Sequence, residues 1–111
     1  MKYLLLICGD ENHLNDDQRH AAWGDYSNGL ATAGKIRGGE RLRPAATATT
    51  LRLSGGERLL SDGPYAETKE QLGGFFVVEA SNLDEAVELA STMPHLQDGG
   101  SVEIRPIWPM S

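Results

Sequence analysis

The chain alternates short apolar runs with polar, glycine-marked breaks, and the spacing inside the runs predicts both strands and helices. Residues 2–8 are short, apolar from Tyr3 onward and rich in Leu and Ile, which predicts a buried strand. Residues 9–15 are polar and read as a loop. The pattern then turns helical: Trp23, Tyr26, Leu30 and Ala33 recur at three- and four-residue steps, and Gly34 follows as a stop. Asn15 with Gln18 makes a capping box for this helix, and Asp16 and Asp17 suit its positive end. Gly24 and Gly29 inside it each cost about 1 kcal/mol relative to Ala, so tertiary packing has to support it.

Residues 35–43 predict a short strand that ends before Pro44, with Gly38-Gly39 marking a bulge or a close backbone approach. Residues 47–53 and 57–61 read as two strands joined around Gly55-Gly56. Asp62-Gly63-Pro64 breaks the chain, and residues 65–72 are mixed and polar, a loop or a single helical turn. Phe75-Phe76-Val77-Val78 is a strand with apolar side chains on both faces, so something must cover each face. Residues 82–93 predict a second helix, with Leu83, Ala86, Val87, Ala90 and Met93 as one apolar stripe, Asn82 and Glu85 as a capping box and Pro94 as the stop. Val102, Ile104 and Pro106 alternate with Glu103 and Arg105 in a final strand. This order predicts an α+β fold, a ferredoxin-like β-α-β-β-α-β unit with a β-hairpin inserted in its middle. Both helices would lie on one face of an antiparallel sheet, and a second copy would cover the other.

Composition narrows the function classes. At 111 residues and 40% hydrophobic content the chain fits one folded domain, residues 1–111, with one modest core. Ten Lys and Arg against sixteen Asp and Glu leave a net charge of −6, which lacks the basic footprint of nucleic-acid binding. A single cysteine excludes an intramolecular disulfide and a cysteine-based zinc site, and the three histidines have no close partner at helical spacing, so no metal is expected; any catalysis is expected to be acid/base chemistry without a cofactor. The apolar run at the start breaks at Gly9-Asp10-Glu11, too short for a signal sequence or a membrane span. The expectation is a cytoplasmic protein with no membrane partner.

The stretch Asp62-Gly63-Pro64-Tyr65-Ala66-Glu67-Thr68-Lys69-Glu70 strongly resembles the signature of the DGPF branch of the YCII-related proteins, with Tyr65 where the motif has Phe. Gly38-Gly39-Glu40, Ala48-Thr49-Thr50, Gln71-Leu72-Gly73-Gly74 and Ser101-Val102-Glu103-Ile104-Arg105-Pro106 extend the resemblance from Tyr3 to Pro106. It implies a ferredoxin-like fold paired into a dimeric α/β barrel. It also implies a family mostly without assigned activity, often encoded beside or fused to extracytoplasmic-function sigma factors, with a few enzymes acting on small molecules. The His–Asp pair proposed as the active site of the YCII branch falls near Trp23 and Thr32, so that dyad is missing and its chemistry does not transfer.

The residues themselves offer both structural and chemical readings. Asp62-Gly63-Pro64 has the makings of a plain turn; alternatively the turn aims Asp62 into a pocket as a base. Glu67, Lys69 and Glu70 are either a solvated charged face or, with Asp62, an acid/base pair beside an anion-holding ammonium. His20 on the first helix is either a surface residue or a proton shuttle. Tyr65 is a half-buried aromatic beside the turn or a pocket hydroxyl. Arg105 either pairs with Glu103, across strands or between subunits, or binds a ligand carboxylate. Cys8 reads as a small buried hydrophobe.

These readings lead to a small-molecule site near residues 62–69, between the sheet and the first helix, in a homodimer. Asp62, Glu67 and His20 would be catalytic, and Tyr65, Lys69 and Arg105 would bind the ligand. The alternative is a non-catalytic regulatory module acting with a sigma factor, and a third possibility is a purely structural dimer without a ligand.

Overall fold

The computed structural model describes residues 1–14, 19–65 and 70–109. The elements in chain order are β1 (Lys2–Gly9), α1 (Glu11–Leu14), α2 (His20–Thr32), β2 (Ile36–Arg41), β3 (Thr49–Ser54), β4 (Glu57–Asp62), β5 (Gln71–Glu79), α3 (Leu83–Ala90) and β6 (Ser101–Pro106). Four strands form an antiparallel sheet in the order β2-β5-β1-β6, and β3 and β4 pair separately as a hairpin. With the hairpin set aside, the order is that of a ferredoxin-like α+β fold.

β1 is central because it is apolar at both parities, as a strand between two neighbours and two faces must be. Tyr3, Leu5 and Ile7 point into the core with Val78 and Ala80, under Leu30 of α2 and Ala86 and Ala90 of α3. Met93, just beyond α3, completes that core. The Tyr26 hydroxyl donates to the Leu89 carbonyl at 2.5 Å and so ties α2 to α3; burial pushes its pKa up to about 12. The opposite parity, with Leu4, Leu6 and Cys8 of β1 and Phe75 and Val77 of β5, lies on a face that no helix among the described residues covers. The molecule is accordingly only 18 Å thick, one helix layer on one sheet.

Several boundaries differ from expectation. The loop expected at residues 9–15 instead contains the one-turn α1, held by hydrogen bonds from the His13 and Leu14 amides to the Asp10 carbonyl. The capping residues Asn15 and Gln18 lie outside the described residues. α2 starts at His20 without a side-chain cap, and the Arg19 guanidinium instead pairs with Asp98 at 2.6 Å. α3 spans eight residues, not twelve, and its stripe splits: Ala86 and Ala90 are buried while Leu83 and Val87 are exposed. Its cap is as expected, with Asn82 accepting from the Glu85 amide at 3.0 Å; the Glu85 carboxylate, however, turns to the Ser81 amide and to Lys35. Pro94 opens a 3-10 turn, Pro94–Asp98.

The hairpin turns at Gly55-Gly56, both at positive φ, which is the type I′ geometry that the twist of two-residue hairpins favours. At its root Gly63, also at positive φ, donates its amide to the Ala48 carbonyl at 2.8 Å, and Thr50 Oγ1 donates to the Gly63 carbonyl at 3.0 Å. Among the described residues no helix is long and apolar enough to cross a membrane.

Candidate functional site

A cavity of about 370 Å³ opens between α2 and the β2–β5 half of the sheet. α2 presents His20, Trp23, Gly24 and Ser27 to it, residues that recur at helical steps on one side of the helix. Gly39, Glu40 and Arg41 of β2 and Gly73, Gly74, Phe75 and Phe76 of β5 form the opposite wall, with Ile7 below and Leu14 at one end. The lining is mostly apolar, with His20, Ser27 and Arg41 as its polar side chains; Glu40 lines it through its backbone, since it pairs with Phe75 and shares that residue's parity on the other face of the sheet.

Glycines set the shape of this cavity in two different ways. A Cβ at Gly74 would lie 2.7 Å from the Glu40 carbonyl oxygen, and one at Gly39 would lie 2.8 Å from the Phe76 ring and 2.9 Å from the Phe75 carbonyl oxygen. These two glycines let β2 and β5 close on each other beside the bulge between Ile36 and Gly38. A Cβ at Gly73 would strike Leu14 at 2.7 Å, so Gly73 seats the side chain that closes the end of the cavity. Gly24 is different: a Cβ there would meet nothing within 4 Å. In mid-helix it forgoes about 1 kcal/mol relative to alanine, and what it leaves is open space at the cavity mouth.

Behind Trp23 lies His95, a polar residue buried beside the core. Its Nε2 is 2.7 Å from the Ser101 carbonyl oxygen, which can only accept, so Nε2 carries the hydrogen and Nδ1 is the bare nitrogen. Nδ1 is buried without a hydrogen-bond partner among the described residues. Burial lowers the His95 pKa, opposed more weakly by the Ser101 hydrogen bond and the charges of Asp98 and Glu70. Cys8 faces the open side of the sheet, and its thiol pKa is raised, first by burial and then by Glu103 and Glu70; it has none of the surroundings that make a thiolate.

Of the residues singled out in the sequence, His20 lines the cavity. Asp62 ends β4 opposite Thr49, exposed at the hairpin root, and is not among the cavity-lining residues. Glu67 and Lys69 lie outside the described residues. Tyr65 is 77% exposed, with the Arg52 guanidinium 4.7 Å from its ring centroid, so it is not the half-buried aromatic expected beside the turn. Arg105 lies on the uncovered face of the sheet, 4.0 Å from Glu103 of the same strand; within the chain these two pair along β6 and not across strands. Trp23, Gly24, Ser27 and Arg41 were missed. The first three sit at i+3, i+4 and i+7 from His20, a spacing that could have grouped them; Arg41 carries no such signal.

The architecture is thus an α+β domain with helices on one face of an antiparallel sheet and a mostly apolar cavity beneath the longest of them. The chain belongs to the YCII-related domain family, which matches it over residues 1–111. It is similar to an uncharacterized protein of Rhizobium meliloti (strain 1021), 46% identical over 76 residues, a match that takes in 68% of this chain and 61% of the relative.

Proposed function

We propose that the chain binds a small molecule in the cavity under α2 and works as a homodimer joined across the open face of its sheet. One observation carries the binding reading: a mostly apolar cavity of about 370 Å³ with a few polar side chains, the size and character of a small-ligand site. The lining suits a ligand with an apolar body, resting on Trp23 and Phe76, and an anionic group held by Arg41. His20 is the proton-transferring group of this reading because it lines the same cavity, and the chemistry proposed is acid/base chemistry without a cofactor. Asp62 and Glu67 are tested beside it. The homodimer reading is supported by the apolar side chains on the uncovered face and by the two-layer thickness of the chain.

The test is a thermal-shift screen of the full chain against a panel of small organic acids and neutral metabolites. A ligand at about 100 times its Kd adds about 2.7 kcal/mol and raises Tm by several degrees. Gly24→Leu fills the open slot and is expected to abolish the shift while leaving the chain folded. A shift that survives Gly24→Leu would put the site elsewhere. Asp62→Asn, Glu67→Gln and His20→Gln, assayed for turnover of the compound found, separate binding from catalysis.

A further inference from the structure

The β3–β4 hairpin stands apart from the rest of the chain as its own two-stranded sheet, and eleven of its twelve strand residues are exposed. Its register puts Leu51 directly opposite Leu60, with Leu53 two residues further along the same face. These three leucines are 57%, 69% and 72% exposed in that order. The other face of the hairpin carries Arg52, engaged by Tyr65, opposite Leu59. An isolated hairpin is marginal in water, and three adjacent exposed leucines make it more so. The leucine face therefore calls for a partner that the described residues of its own chain do not provide.

We infer that the hairpin is a dimerisation arm whose Leu51, Leu53 and Leu60 face packs on a second copy of this chain. This rests on the reading of the chain as a homodimer joined across its open sheet face, and the areas of the two surfaces support it. Four strands about 4.8 Å apart and about 26 Å long present about 500 Å². That falls short of the 600 to 1,000 Å² or so that each partner of a stable complex buries. One hairpin face, two strands of six residues, adds about 200 Å² and brings the total into that range. The second copy is the occupant that needs such an addition, and it brings an arm of its own.

Sedimentation of the full chain from about 1 to about 100 µM tests this. The variants are Leu51→Thr with Leu60→Thr on the docking face and Leu59→Thr on the opposite face; threonine keeps strand propensity while removing apolar surface. Far-UV circular dichroism checks that the variants fold. The expected result is a wild-type dimer whose Kd rises at least about tenfold in the double variant and less than about threefold with Leu59→Thr. A dimer equally tight in the double variant overturns the arm while leaving the sheet-face dimer standing. A wild-type monomer at the highest concentration overturns both. Equal damage from Leu59→Thr would show that the effect comes from weakening the hairpin, and would also overturn the proposal.

Discussion

His95 is stacked on Trp23, with ring centroids 5.4 Å apart and planes 28° from parallel. One ring lines the cavity and the other is sealed in the core, so the wall of the site leans on a titratable group. Burial lowers the pKa of His95, so the unfolded chain takes up its proton more readily than the folded one. The neutral imidazole thus contributes stability that is present above about pH 6.5 and is lost as pH falls toward the depressed folded value. Tm is expected to drop between about pH 7.5 and about pH 5.5, and to drop less in His95→Phe. Calorimetry on both chains at the two pH values checks this; equal drops would remove His95 as the cause.

Two glycine-to-alanine changes should move stability in opposite directions. At Gly24 the added methyl group meets open space in a helix interior and is expected to stabilise by about 0.5–1 kcal/mol. At Gly74 it meets the Glu40 carbonyl at 2.7 Å, and strain of about 1–3 kcal/mol is expected. Urea unfolding of the two variants decides both signs in one experiment.

Asn82 holds the start of α3 through the Glu85 amide, so Asn82→Ala is expected to destabilise by about 1 kcal/mol, and Asn82→Asp by much less. The midpoint of urea unfolding reads both. A loss as large in the aspartate variant would assign the effect to the amide nitrogen of the side chain.

The two arginines are expected to differ in ligand binding. Arg41 lines the cavity and Arg105 lies on the uncovered face of the sheet. For an anionic compound found by thermal shift, Arg41→Gln should raise Kd about tenfold or more, whereas Arg105→Gln should leave it within about twofold. Titration calorimetry measures both, and the reverse order would move the site to the open face.

Where local physics decides, the sequence was legible. Gly55-Gly56 marked a hairpin turn built on positive φ, Asn82 announced its own cap, and the order of strands and helices anticipated an antiparallel sheet with the helices on one face. The α3 stripe misled at Leu83 and Val87 because helical spacing puts residues on one side of a helix without saying how far the neighbouring layer reaches. The cavity was half legible. His20 stood out as a titratable side chain on the helix that lines the cavity, but Gly24 carries no chemistry of its own and Arg41 lies on another element, brought to the cavity only by the pairing of β2 with β5. The signature motif drew attention to Asp62, whose place at the hairpin root depends on the register of two strands and not on its neighbours in sequence.

The edges of the sheet bear on whether it can grow by adding strands. β2 and β6 are the outer strands, and each is poorly suited to receive another. β2 is broken by the irregularity at Gly38, and β6 carries charged Glu103 and Arg105 before ending in Pro106, which has no amide hydrogen to offer. Strand-by-strand accretion into fibres is therefore discouraged at both borders. Among the described strands the sheet ends at four, and its broad uncovered face, unlike its two borders, is left open to contact.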